Sequence, residues 1–236
     1  MKFPIFLSLS LLLGAAQFKP MDFSALPAKV PEIDKKLFEM HFTLYRGYVA
    51  QVNFLQSMLD DLSLEGAKNQ FIFASIKRQY GFEYDGMRLH ELYFENLGGK
   101  NSYLGIGVVA KRIAQNFGSY DTWKQHMIQT AMTRGTGWAI LYFNRMTGAM
   151  TNAFIEGHDI GLLASECALV IIDLWEHAYI TQFGLDRKKY VEIVIDNIDW
   201  KVVETRFNRP CGLQSAGMDP ASPKGGTFGG PGSNNL

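Results

Sequence analysis

The stretch Ile171-Ile172-Asp173-Leu174-Trp175-Glu176-His177-Ala178-Tyr179 decides how this chain is read. An apolar run stops on an acid and is followed at once by Trp, Glu and His, where a core segment would continue. Burying a carboxylate and an imidazole among Ile and Trp is costly unless something pairs with them. A metal ion is one such partner, and it needs further ligands elsewhere in the chain. Asp173 and His177 are four apart, so a helix beginning near Asp173 would set both on one face.

Those further ligands have candidates upstream. From Pro31 to Leu59, apolar and aromatic positions including Ile33, Leu37, Leu44, Tyr48, Val52 and Leu55 recur at helical spacing. The spacing predicts one long helix with a buried stripe, and His41 lies in it. Gly47 interrupts the pattern and points to close packing against a neighbour. A second helix is expected over 67–80 and a third over 84–97, with His90 in the stripe formed with Met87, Tyr93, Phe94 and Leu97. A lone histidine on an apolar face is usually a satisfied core residue. Three of them and an acid, on elements that must pack together, form a donor set. Nitrogen and oxygen donors without a thiolate suit iron, manganese or zinc better than copper(I) or an iron–sulfur cluster.

Gly98-Gly99-Lys100-Asn101 breaks the chain into two lobes. Beyond it, helical patterns near 104–117 and 120–132 give way to the β-rich runs 136–144 and 149–155. Arg145-Met146-Thr147-Gly148 joins them as a hairpin, and 168–173 is a third strand. Helices near 174–182, 187–195 and 198–207 close the folded part. Residues 210–236 carry seven Gly and four Pro in 27 positions, too few apolar groups to offset the entropy of ordering, so a disordered tail is expected.

Bulk properties exclude several function classes. The chain has 236 residues, 47% hydrophobic and 19% charged, enough for one compact unit with a sizeable core. Lys+Arg and Asp+Glu are both 23, which leaves no basic excess to mark a nucleic-acid partner. Cys167 sits in an apolar run and reads as a small core residue, and no disulfide with Cys211 is expected. Residues 1–16 have the layout of a signal peptide: Lys2, an apolar stretch from Phe3 to Leu13, then Gly14, Ala15 and Ala16. That stretch is too short to span a bilayer, and no other segment is an integral membrane candidate. Export to a periplasm or out of the cell follows, whereas a true start at Met21 would leave the protein cytoplasmic.

At these residues the chain resembles the iron/manganese superoxide dismutases. Asp173–Tyr179 matches the family's Asp-x-Trp-Glu-His-Ala-Tyr signature. His90–Leu97 resembles its second-ligand helix, Gly135–Ala139 its Gly-Ser-Gly-Trp strand, and Asn197–Trp200 its closing Asn-x-x-Asn-Trp helix. The resemblance covers roughly residues 22–209. It implies an α+β fold, with an N-terminal helical hairpin lobe (22–99) followed by a mixed lobe (100–209) holding a three-stranded antiparallel sheet surrounded by helices. It also implies His41, His90, Asp173 and His177 as ligands to one manganese or iron ion per subunit, and superoxide as substrate. The family's polar donor to metal-bound solvent comes from one of two places. One is four residues before the second ligand, here Gly86, which can donate nothing. The other is a loop where the common sequence is Asn-Gln-Asp, here Gly157-His158-Asp159. His158 is therefore identified as the donor.

The first helix departs from the family. A ligand His, a second His four on and a Tyr eight on is the usual pattern, whereas His41, Tyr45 and Tyr48 stand at spacings of four and seven. Either one residue is lost or the register slips and puts Met40 at the ligand position. Residues at these spacings share one helix face, which favours His41 as ligand and Tyr48 as gateway. Tyr45 then replaces the gateway His, whose partner across the family's dimer interface falls at Ile180. Glu176 is implied to reach across a homodimer to His177 of the other copy, with Trp138 and Trp175 walling the pocket. The expected reaction is disproportionation of superoxide to dioxygen and hydrogen peroxide. Tyr48 would relay protons, and His158 would tune the bound solvent. The altered gateway keeps open a metal-binding homologue with little dismutase activity, in a structural or sensing role. Iron and manganese are not distinguished.

Overall fold

The computed structural model describes residues 17–64, 69–100 and 107–209. The proposed leader and tail lie outside the described residues.

The N-terminal part is a short helix α1 (Leu26–Lys29) followed by two long antiparallel helices, α2 (Lys35–Leu64) and α3 (Gln70–Glu95). They form the most extensive helix–helix contact in the fold. The expected second and third helices are one: Gly81 and Gly86 both sit inside α3 and neither breaks it. Glycine lowers helix propensity by only about 1 kcal/mol, and burial of the face Met87, Leu89, Leu92, Tyr93 and Phe94 outweighs that.

Helices α4 (Val108–Phe117) and α5 (Tyr120–Ala131) lead into strands β1 (Gly137–Phe143), β2 (Met150–Glu156) and β3 (Cys167–Asp173). The sheet is three-stranded and antiparallel, as expected, and its order is β2-β1-β3. The Ser119 hydroxyl starts α5 by accepting from Thr122 N at 3.1 Å. The Asn144 side chain closes the hairpin by accepting from the backbone N–H groups of Met146 and Thr147. β1 is buried along its whole length, because β2 and β3 cover its edges and helices its faces.

The expected helix over 174–182 does not form. Asp173 is the last residue of β3, and a 3-10 turn (Glu176–Ala178) and a single helical turn α6 (Ile180–Phe183) follow. Helices α7 (Arg187–Asp196) and α8 (Trp200–Asn208) complete the fold, their first turns capped by the side chains of Asp186 and Asp199.

Two buried polar groups lock α3 to β3. The Asn96 side chain accepts from Ile171 N at 2.8 Å and donates to Ile171 O at 3.2 Å. Arg206 on α8 donates to Leu169 O and Leu92 O and pairs with Glu95 at 3.1 Å. A buried ion pair with two further bonds to backbone carbonyls specifies one docking of helix on strand. That docking sets His90 on α3 against Asp173 at the end of β3.

The Cys167 expectation is corrected. This residue is disulfide-bonded, and no described cysteine is free. Composition could not reveal the pairing, which depends on where the end of α8 lies. The chain's other cysteine, Cys211, falls outside the described residues.

Candidate metal centre

One potential ligand atom from each of His41, His90, Asp173 and His177 lies within 4.8 Å of all the others. Asp173 Oδ2 is 3.1 Å from His41 Nε2, 3.2 Å from His177 Nε2 and 3.5 Å from His90 Nε2. The Nε2 atoms of His90 and His177 are 3.3 Å apart. Four donors separated like this surround a cation with bonds of about 2 Å. The donor set fits iron or manganese: hard oxygen, three imidazoles and no thiolate.

Each donor has a local reason for its direction. His41 projects from the α2 stripe, edge-on to Phe94 with ring centroids 4.8 Å apart. His90 Nδ1 donates to Gly86 O one turn back at 2.6 Å, which fixes its tautomer and leaves Nε2 free for a metal. Leu174 N donates to Gly137 O at 2.9 Å, and Trp175 N donates to Asp173 Oδ1 at 2.8 Å. These bonds turn the chain off the sheet edge and bring His177 back over Asp173. The two residues thus meet through a strand end and a tight turn rather than along a helix face.

The electrostatics favour a cation. Burial lowers the proton affinity of His41 and, more strongly, of His90, although Asp173 opposes it in both. Burial also opposes charge on Asp173, but His177 and His41 outweigh it and hold the carboxyl far below the usual range. One carboxylate beside imidazoles that burial discourages from protonation at His41 and His90 is a ligand set suited to a cation.

Beside the cluster stand Tyr48 and His158. The Tyr48 hydroxyl is 2.8 Å from His158 Nε2, and Trp138 Nε1 donates to His158 Nδ1 at 3.0 Å. Trp138 stands edge-on to His90 at 5.0 Å, and Trp175 stacks on His158 at 4.9 Å. Both tryptophans therefore wall the site. Burial raises the Tyr48 pKa, with Asp173 and Glu83 adding to the shift, while burial pushes His158 down to about 4. A cleft of about 530 Å³, lined by Leu44, Gly47, Tyr48, Phe54, Phe82 and Glu83, opens outside Tyr48.

Tyr45 is not at this mouth. It is 1% exposed and turns inward, where its hydroxyl donates to Glu91 at 2.8 Å and accepts from Met21 N at 2.9 Å. The residue four before Tyr48 is Leu44, 36% exposed, so the outward position falls there. Along an unbroken α-helix His41 and Tyr48 are two turns apart, while Tyr45 is rotated toward α3 and the N-terminal segment. The Glu176 side chain is exposed and makes no hydrogen bond or ion pair among the described residues, while its backbone carbonyl accepts from Tyr179 N at 3.1 Å. Two contributors escaped the sequence reading. Phe82 lies 4.5 Å from His158. Gly86 was judged only for the donor it lacks. Its position one turn before a ligand was the available signal.

The sequence resembles known proteins in the same sense. Residues 106–206 match the family model for iron/manganese superoxide dismutases, C-terminal domain. The iron superoxide dismutase of Saccharolobus solfataricus is 31% identical over 202 residues, 82% of this chain and 96% of the relative. The chain belongs to the iron/manganese superoxide dismutase family. The iron superoxide dismutase of Aquifex pyrophilus is 30% identical over 84% of the chain and 94% of the relative. A manganese superoxide dismutase of Haloferax volcanii is 28% identical over 80% of the chain and 93% of the relative. Membership makes the chain an oxidoreductase that disproportionates superoxide with iron or manganese, and favours that activity over a metal-binding homologue without it.

Proposed function

We propose that superoxide turns over at the His41, His90, Asp173 and His177 cluster, with Tyr48 and His158 as the polar pair at its entrance. The convergence of four donor atoms beside that pair carries the reading. Iron or manganese there would supply one-electron oxidation of one superoxide and reduction of the next. Asp173 brings the hard negative charge that favours a trivalent ion. Tyr48 screens entry and holds a hydroxyl proton at the mouth, while Trp138 and Trp175 keep bulk water out. The dismutation rate per bound ion, measured separately with iron and manganese, tests this. A rate near diffusion control with either metal supports it. Stoichiometric metal with negligible turnover in both overturns it.

We propose a homodimer in which Glu176 reaches His177 of the second copy. The support lies in what is unfinished: the His177 side chain is 26% exposed, and the Glu176 carboxylate has no partner among the described residues. A ligating histidine ordinarily donates its second N–H to an oxygen. Met40, Leu44 and Ile180 add exposed apolar surface on the same chain. Sedimentation of the wild type and Glu176→Ala tests this, and a wild-type monomer overturns it.

Export is the third proposal. A disulfide at Cys167 favours an oxidising compartment. Asn53 accepts from Phe18 N at 2.8 Å and donates to Phe18 O at 2.9 Å, and Phe18 packs on Tyr84, so a start at Met21 would forfeit built contacts. N-terminal sequencing of the native protein decides between cleavage after Ala16 and a start at Met21.

A further inference from the structure

Both ring nitrogens of His158 are spent inside the protein. The Trp138 indole can only donate, so the nitrogen it meets must carry no proton. That nitrogen is Nδ1, and a neutral imidazole then keeps its single proton on Nε2. Nε2 faces the Tyr48 hydroxyl at 2.8 Å, so Nε2–H donates to the phenolic oxygen. The flipped ring would present carbon to both partners and lose both bonds. Phe82 and Trp175 flank the ring, and its Cδ2 edge faces Gly86.

We infer that Trp138 is a positioning residue that fixes His158 as the Nε2–H tautomer, so that His158 serves Tyr48 alone and has no proton to give solvent on the metal. The inference rests on the proposed metal site and departs from the expected role of His158 as donor to that solvent. A glutamine, the residue common at this loop in the family, has one acceptor and two N–H donors. It can answer an indole and a tyrosine and still have a donor left, whereas an imidazole cannot. Protonating Nδ1 would set N–H against N–H, so His158 does not shuttle protons either. The Tyr48 hydroxyl proton is then the one left free to move at the mouth, because its oxygen already accepts from His158.

The test is two-bond proton–nitrogen correlation NMR on the full-length chain, labelled at histidine and loaded with zinc(II) as a diamagnetic ion. The expected spectrum at neutral pH shows His158 with bare Nδ1 and protonated Nε2. An Nδ1–H form, or a mixture of tautomers, overturns the inference. In Trp138→Phe the single tautomer should become a mixture, while Tyr48→Phe should keep Nε2–H. A pure Nε2–H form in Trp138→Phe would remove Trp138 from the role. Should that variant not fold, coupling across the hydrogen bond from Trp138 Nε1–H to Nδ1 in the unchanged protein decides: its presence supports the inference and its absence overturns it. Failure of dismutation with iron and manganese would sink the activity without touching this spectrum, so the two readings fall separately.

Discussion

A Cβ placed on Gly86 would lie 2.8 Å from Tyr48 Cε1 and 3.1 Å from His158 Cδ2. No real Cβ tolerates the first contact, so the Tyr48–His158 pair exists because α3 carries no side chain at this point. Gly86→Ala should push Tyr48 off His158 and cost about 1–3 kcal/mol as an overpacked site. Thermal unfolding should show the loss. Dismutation should fall while bound metal stays near one equivalent, because the Gly86 carbonyl that orients His90 remains. Full activity in a folded Gly86→Ala protein would show that the pair is dispensable.

Tyr45 gives the opposite expectation. Its hydroxyl joins Met21 N to Glu91, which is ion-paired with Arg88. Burial raises the Glu91 pKa, and Arg88 and Tyr45 oppose the rise. Tyr45→Phe should therefore destabilise by about 1–3 kcal/mol through groups left unpaired. Turnover per metal should be unchanged, since the side chain faces away from the mouth. A several-fold drop in turnover with unchanged stability would return Tyr45 to the gateway.

Much of this site was legible in the sequence because its chemistry is local. Asp173 and His177 announce themselves by interrupting an apolar run, and His41 and His90 by lying in helical stripes. The direction of Tyr45 was not legible. Spacing places it on the same broad face as His41, and only the docking of residues 17–23 against α2 decides which side it serves. The turn after Asp173 is not legible either, because Leu174–Tyr179 has helix-compatible composition and the Gly137 carbonyl that redirects it is far away in sequence. Disulfide pairing depends on tertiary placement and leaves no periodic trace.

That placement gives a prediction for Cys167. Arg145 donates to Phe207 O and Arg209 O, and the Phe143 and Phe207 rings lie 4.6 Å apart. Phe143 is the register partner of Cys167, so the chain leaves α8 beside that cysteine. Non-reducing peptide mapping should link Cys167 to Cys211. Reduction, or Cys167→Ser, should lower stability by about 2–5 kcal/mol. A free thiol titre of two per chain in the protein purified without reductant would refute the pairing.

Asp85 supplies a pH signature. Burial raises its pKa to about 6, with Asp159 adding repulsion. An acid whose folded pKa is raised contributes stability fully present below its unfolded pKa and lost as pH rises through the folded one. Here that window runs from about 4 to about 6. Asp85→Asn should therefore raise the melting temperature at pH 7.5 more than at pH 4. An equal shift at both pH values would mean that the carboxylate is not what destabilises the fold.

The mouth carries Glu83, an acid facing an anionic substrate. Glu83→Gln should raise the dismutation rate at low ionic strength, and the gain should shrink as added salt screens the charge. A rate change that ignores salt would point to packing instead.

Trp138 and Asp173 sit directly opposite one another on β1 and β3. One holds His158 and the other is the carboxylate of the donor cluster. Because strand side chains alternate faces, a slip of one residue between these strands would put the two side chains on opposite faces of the sheet. Metal uptake should therefore report on whether these strands have paired in register. A chain that closed its sheet out of step would have the right residues and no place to put an ion. The pool that acquires metal should thereby be enriched in correctly assembled chains.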